Sequence, residues 1–209
     1  MKIGLLGSGN VGKALAKGFL AEGHKVWLAT REPDEEKGAA VKEAVPEATV
    51  TDFEGTAQAA QLAVLCVPWS GAEDAVQLAG VDNLRGKVII DTTNPLSHSE
   101  AGVGLTLGFD ESAGETVQRW LPESRVVKCF NTIGAAYMYK PDFGTRPTMF
   151  IAGNDADAKQ QVSELVEAFG WDVYDAGDIT ASRVLEPMAT LWINNAMRTG
   201  DPHHAFKFL

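Results

Sequence analysis

Short apolar runs and glycine- or proline-marked turns alternate along the whole chain. Runs at 2–7, 25–30, 48–51, 62–67, 87–92, 125–130, 148–152 and 171–175 predict eight strands. Several are apolar almost throughout, as in Leu62-Ala63-Val64-Leu65-Cys66-Val67 and Val88-Ile89-Ile90. A strand covered on both faces needs that composition, so the pattern favours a parallel sheet over an alternating antiparallel one. Between strands the period becomes helical. Val11, Ala14, Leu15, Gly18 and Phe19 fall on one face, and Ala158, Val162, Leu165, Val166 and Phe169 repeat the spacing. Asn154 or Asp155 is placed to cap that second helix and Gly170 to end it. Ala113, Val117, Trp120 and Leu121 form a third face, and Val184, Met188, Leu191 and Trp192 predict a last helix that Pro187 either kinks or opens. Strands alternating with helices of this length predict an α/β fold with a doubly wound, mostly parallel sheet and right-handed crossovers, closed by a short C-terminal helical extension.

Composition narrows the partners. The 209 residues, 45% apolar and 22% charged, are ordinary for one compact domain. Eighteen Lys and Arg against 28 Asp and Glu leave a net charge of −10, a surface that repels phosphate backbones and anionic lipid. Neither nucleic acid nor a membrane is an expected partner. The longest run without a polar side chain, Leu62 to Trp69, is far below the ~20 residues needed to cross a bilayer. Cys66 and Cys129 sit inside strand-like runs and read as buried thiols of a cytoplasmic protein.

Gly7-Ser8-Gly9-Asn10-Val11-Gly12 follows the first strand and opens the first helix. In that context the first glycine allows a tight turn, the second leaves room for a pyrophosphate, and the third lets helix and strand pack closely. The helix N-terminus then points its N–H groups at the phosphates. The end of the second strand selects between dinucleotides. NAD asks there for an Asp or Glu to accept from the ribose 2′-OH, and this chain has Thr30-Arg31 instead. A hydroxyl donor and a guanidinium suit a 2′-phosphate, with Lys37 in reach from the next loop, so the expected cofactor is NADP(H). Ligands of open α/β sheets bind at the carboxyl ends of strands, which brings in Val67-Pro68-Trp69 and Asn94-Pro95. Trp69 reads either as a flat wall beside the cofactor or as ordinary packing at a helix start. Residues 1–178 form the expected dinucleotide-binding domain. Residues 179–209 are expected to pack on its cleft or at a dimer interface, within the same compact unit.

The glycine fingerprint, Thr30-Arg31, Val67-Pro68-Trp69, Asn131-Thr132-Ile133-Gly134-Ala135-Ala136, Ala181-Ser182-Arg183 and the Phe206-Lys207-Phe208-Leu209 tail together resemble the NADPH:coenzyme F420 oxidoreductase family, from end to end. The resemblance implies a homodimeric Rossmann enzyme that moves a hydride between C4 of the nicotinamide and C5 of an 8-hydroxy-5-deazaflavin. Ser8, Gly9, Asn10, Val11, Thr30, Arg31, Pro68, Asn94 and Ala135 would line the NADP site. Ile133, Gly134, Ser182, Arg183 and Pro187 would meet the second ligand. Gly134 and Asn131 depart from the family pattern, which has proline and histidine there.

Ring-to-ring hydride transfer needs two planar rings held face to face away from water and no obligatory acid. That suits a chain in which Asp91, His98, Lys128, Tyr137 and Tyr139 are candidates for proton handling but none lies in a motif. Asp201, His203 and His204 do not have metal-ligand spacing. The partner is then a small redox molecule, F420 or a flavin-like ring. The alternatives are a reductase of FMN, FAD or a small carbonyl, and an NADP-binding sensor without turnover.

Overall fold

The computed structural model describes residues 1–100 and 102–209. In chain order it forms β1 (Lys2–Leu6), α1 (Asn10–Ala21), β2 (Lys25–Ala29), α2 (Glu36–Ala44), β3 (Thr49–Thr51), α3 (Phe53–Ala59) and β4 (Leu62–Leu65). Then follow α4 (Ala72–Ala79), α5 (Val81–Leu84), β5 (Val88–Asp91), β6 (Leu96–Ser99), β7 (Gly102–Leu105) and α6 (Ala113–Trp120). The chain closes with β8 (Arg125–Lys128), β9 (Thr148–Gly153), α7 (Ala156–Ala168), β10 (Asp172–Asp175) and α8 (Ser182–Thr199).

Each of the eight expected strands enters one sheet, ordered β10-β9-β8-β5-β4-β1-β2-β3. The pairs are parallel except β8 with β9. The apolar runs are explained by burial on both sides. In β4, Leu62 and Val64 join the core under α1, α2 and α7, while Ala63 and Leu65 join the core under α3, α4 and α6. The strand order reverses between β1 and β4, which opens a crevice at their carboxyl ends.

Details depart from the periodicity. On α1 the fully buried positions are Gly12, Leu15, Ala16, Gly18 and Phe19, whereas Val11 and Ala14 are only half-buried. On α8 the buried side is Ser182, Leu185, Glu186 and Ala189; Val184 and Leu191 are each 61% exposed. Half of the expected apolar stripe therefore points outward: Met188 and Trp192 stay half-buried against the body of the protein, while Val184 and Leu191 are exposed and the buried Glu186, with its ionic partners, takes a place on the inner face. Pro187 neither opens this helix nor ends it but lies in its second turn, where it cannot donate to the Arg183 carbonyl. The β6–β7 hairpin is an addition to the alternating plan. It is tied to α8 by Asn194, whose amide accepts from Val103 N (3.0 Å) and donates to Val103 O (2.7 Å). Beyond α8 the tail returns to the sheet, with Thr148 N donating to Phe206 O and Phe208 N to Thr148 Oγ1.

Candidate functional site

The turn after β1 gives its three glycines three different jobs. Gly7 has φ +135°, and a Cβ there would stand 2.6 Å from the Cys66 carbonyl oxygen of the β4 end. A Cβ on Gly12 would stand 2.1 Å from the Gly7 carbonyl, so this glycine lets α1 sit down on its own turn. Gly9 is the opposite case, with nothing within 4 Å of an added Cβ. Its bareness serves space outside the protein. Gly9 is also the N-cap of α1 and supplies no side-chain cap, and the first turn of α1 carries no acidic residue. The free N–H groups and the positive end of the helix are left for an anion.

A cavity of about 380 Å³ opens in front of this turn, lined by Gly7, Ser8, Gly9, Thr30, Arg31, Lys37, Val67 and Pro68 among others. It adjoins a hollow of about 640 Å³ that shares Thr30 and Arg31 and is walled by Phe53, Asp74 and Leu78. Thr30 is buried, yet among the described residues its Oγ1 has no hydrogen-bond partner. A buried hydroxyl without a partner is costly and fits an external oxygen. Arg31 reaches Asp74 at 3.3 Å with both side chains more than half exposed, a weak tether that an incoming phosphate can displace. Open space at Gly9, an uncapped helix and the Thr30 hydroxyl together fit a dinucleotide carrying a 2′-phosphate.

Trp69 is absent from the lining. It stacks on Trp120 with ring centroids 5.4 Å apart, which makes it packing between loop and α6. Asn94 is also committed within the protein. Its Nδ2 donates to Asn131 O (2.8 Å) and its Oδ1 accepts from Asn131 Nδ2 (3.0 Å), while Asn131 Oδ1 is buried without a partner. Pro95 is buried, and its carbonyl holds Thr106 N and Oγ1. Asn10 and Ala135 line a separate groove beside α1, and half-buried Val11 packs against the core below it.

The residues expected at a second ligand divide into two groups. Ile133 and Gly134 lead into a short 3₁₀ turn at Ala135–Tyr137. A Cβ on Gly134 would come within 2.7 Å of Trp192, so this glycine admits the α8 tryptophan where the family pattern has proline. Ser182 and Arg183 instead face α6. Ser182 is fully buried beside Gly114, with its Oγ unpartnered, and Arg183 grips Glu115 through Nε (2.8 Å) and Nη2 (2.6 Å). That contact holds the Glu115 carboxyl below the usual range. Pro187 is half-buried one turn further along α8.

Beneath this region lies a buried ionic cluster that sequence reasoning found only in part. Lys128 Nζ donates to Asp91 Oδ2 (2.9 Å) and Thr93 O (2.6 Å) and lies 2.7 Å from Glu186 Oε1. The same Glu186 accepts from Ala113 N and Gly114 N, capping α6 from α8. Burial disfavours the ammonium, but attraction to the two carboxylates outweighs it and raises Lys128 above the ordinary lysine range. Asp91 and Lys128 are register partners at the ends of β5 and β8. Two charges ending adjacent apolar strands were the available signal. Glu186 gave none.

The remaining candidates for proton handling are not brought together. His98 is exposed on the hairpin, the Tyr137 ring packs on Phe143 and His203, and the Tyr139 hydroxyl donates to Glu22. Burial pushes both thiols far up, so neither is a ready nucleophile. His204 stacks on Trp192, and His203 bonds the Asp142 carbonyl. Among the described residues no helix is long and apolar enough to cross a membrane.

Comparison with known proteins adds ancestry to this geometry. A family model described as NADP oxidoreductase coenzyme F420-dependent matches residues 2–95. The chain is similar to a solved structure from Arthrobacter sp. FB24, provisionally assigned as an F420-dependent NADP reductase, with 34% identity and a TM-score of 0.94 over 100% of this chain and 99% of that one. It is 28% identical over 205 residues to the F420-dependent NADP reductase of Methanocaldococcus jannaschii, covering 92% of this chain and 91% of the relative. It is also 30% identical over 187 residues to metalloreductase STEAP3 of Rattus norvegicus; the match takes in 88% of this chain but only 36% of that protein's length.

Proposed function

The chain belongs to the F420-dependent NADP reductase family, and from that premise we propose that it passes a hydride between NADP(H) and the deazaflavin ring of coenzyme F420. It is an NADP-dependent oxidoreductase with a Rossmann-like fold. The observation that carries the NADP(H) half of this reading is the conjunction at the cleft, an open Gly9, an uncapped α1 and an unpartnered Thr30 hydroxyl beside Arg31, and the F420 half is supported by the family resemblance. Gly7 to Gly12 would hold the pyrophosphate, and Thr30 and Arg31, with Lys37, would hold the 2′-phosphate. The nicotinamide and deazaflavin supply the hydride chemistry between themselves when bound. The chain's own work is to bind, orient and shield, with the Asn94–Asn131 pair fixing the floor between β5 and β8 and α8 covering it. Two buried free thiols support a cytoplasmic site of action. The exposed Val184, Leu191 and Met197 on α8 support a homodimer.

Anaerobic stopped-flow mixing of enzyme and NADPH with oxidised F420, then with FMN and FAD, tests the acceptor. Matched loss of nicotinamide and deazaflavin absorbance with F420 is the expected outcome. Exchange with flavins alone would reassign the acceptor, and tight NADPH binding without electron transfer would make the protein a sensor.

A further inference from the structure

We infer that the groove beside α1 is a subsite for an anionic tail on the second ligand, a phosphate or carboxylate group held by Lys13 and Lys17. The inference rests on the proposed reading that a deazaflavin is the second ligand, next to Ile133 and Gly134, which lead into Ala135. The groove, about 490 Å³, starts at Asn10 and Ala135, where the dinucleotide turn meets the segment expected at the second ligand, and runs along α1 to Tyr139. Its walls carry two ammonium groups four residues apart, hence neighbours on one helix face. Among the described residues neither lysine makes a salt bridge or a side-chain hydrogen bond, and Lys13 is half-buried all the same. Like charges brought together on one face repel, and in a chain of net charge −10 there is no shortage of carboxylates that could have paired them.

The acid bonded to Tyr139 at the far end is already paired. Glu22 is 2.9 Å from Lys140 Nζ and accepts from the Tyr139 hydroxyl at 2.9 Å, so its charge is already answered. What remains is a local positive field in a negative protein, which concentrates an anion at one place. The groove is separate from the cavity in front of Gly9: the two share no lining residue, though Gly9 and Asn10 adjoin in the glycine turn, and Arg31 and Lys37 line the other one. A dinucleotide whose 2′-phosphate sits at Arg31 leaves these two lysines unused, and a second ligand with an ionised extension uses both.

The test compares ligands that share a ring and differ in charge. Coenzyme F420 is set against its 8-hydroxy-5-deazariboflavin core, which shares the ring and lacks the anionic tail, in the wild type and in the double variant Lys13→Ala, Lys17→Ala. The wild type should prefer the anionic acceptor by about tenfold in KM, more at low salt, and the variant should lose that preference. Equal preference in both proteins would overturn the inference. So would a matched rise in the NADPH dissociation constant, which would give the lysines to the dinucleotide. Should neither deazaflavin be reduced, the acceptor reading fails on its own, and the subsite is read from binding of FMN against riboflavin by tryptophan fluorescence. Tighter binding of FMN that the double variant abolishes would sustain the subsite; identical binding of the two flavins would end it. A charge-preserving Lys13→Arg, Lys17→Arg variant should keep the preference and separates lost charge from a disturbed helix.

Discussion

The two ends of the crevice treat their charged groups in opposite ways. On the β1–β2 side the turn leaves an uncapped helix, a bare Gly9 and a buried Thr30 hydroxyl without a partner, and Arg31 is held only by an exposed carboxylate. On the β5–β8 side Lys128 is ringed by Asp91, Thr93 and Glu186, the Asn94 amide is paired with Asn131, and Arg183 is locked to Glu115; the unpartnered atoms there, Asn131 Oδ1 and Ser182 Oγ, are neutral. Groups of the second kind are spent on holding α6, α8 and the sheet together. Those of the first kind are incomplete until something binds. Residue type alone does not separate the two: Arg31 and Arg183 are both arginines beside a proposed ligand, and only one is poorly satisfied by the protein.

The sharpest way to break the contrast is at the buried cluster. Lys128→Met strands Asp91 and Glu186 without their cation and should cost about 3–5 kcal/mol in urea unfolding, whatever ligand is added. A loss near zero would mean the cluster holds nothing. On the open side, Gly9→Val has room for its side chain and should fold, losing only a few degrees of melting temperature because valine is a poor N-cap, while weakening NADPH by about a hundredfold, measured by fluorescence titration. Arg31→Glu should weaken NADPH by about tenfold and spare NADH; equal affinities before and after would take the 2′-phosphate away from Arg31. The smallest effect belongs to Arg183 and Glu115. Glu115 titrates lower in the folded chain than in the unfolded one, so its contribution is present above the ordinary carboxylate range. It is lost as pH falls through the depressed value. Glu115→Gln should therefore cost less than about 1 kcal/mol at neutral pH and flatten the stability curve on the acid side.

The sheet was legible because both-face burial writes itself as unbroken apolar runs, and the glycine turn because its three constraints fall at fixed spacing. Helix faces were less so. Helix α8 shows why: Val184, Met188, Leu191 and Trp192 have the spacing of a buried face, yet Val184 and Leu191 are exposed while Glu186, through its partners, goes in. The capping choice at α7 was open in the sequence and is settled by geometry, with Asp155 accepting from Ala158 N while Asn154 accepts from Ile179 N. The β6–β7 hairpin has too many glycines and polar residues to announce itself, and α3 and α5 are too short to show a period. Of the site, the residues whose role is to leave space or a donor unfilled could be named from motif alone. Asn94, Ser182 and Arg183 could not be placed, since their partners lie far away in sequence.

Amide hydrogen exchange with and without NADPH tests the contrast most directly, because it reads both ends of the crevice in one experiment. Added NADPH is expected to protect the amides of the glycine turn and first turn of α1, together with those around Thr30 to Lys37, and to leave 182–186 and the end of β8 as slow as before. Protection centred on the start of α8, with the glycine turn unchanged, would contradict it.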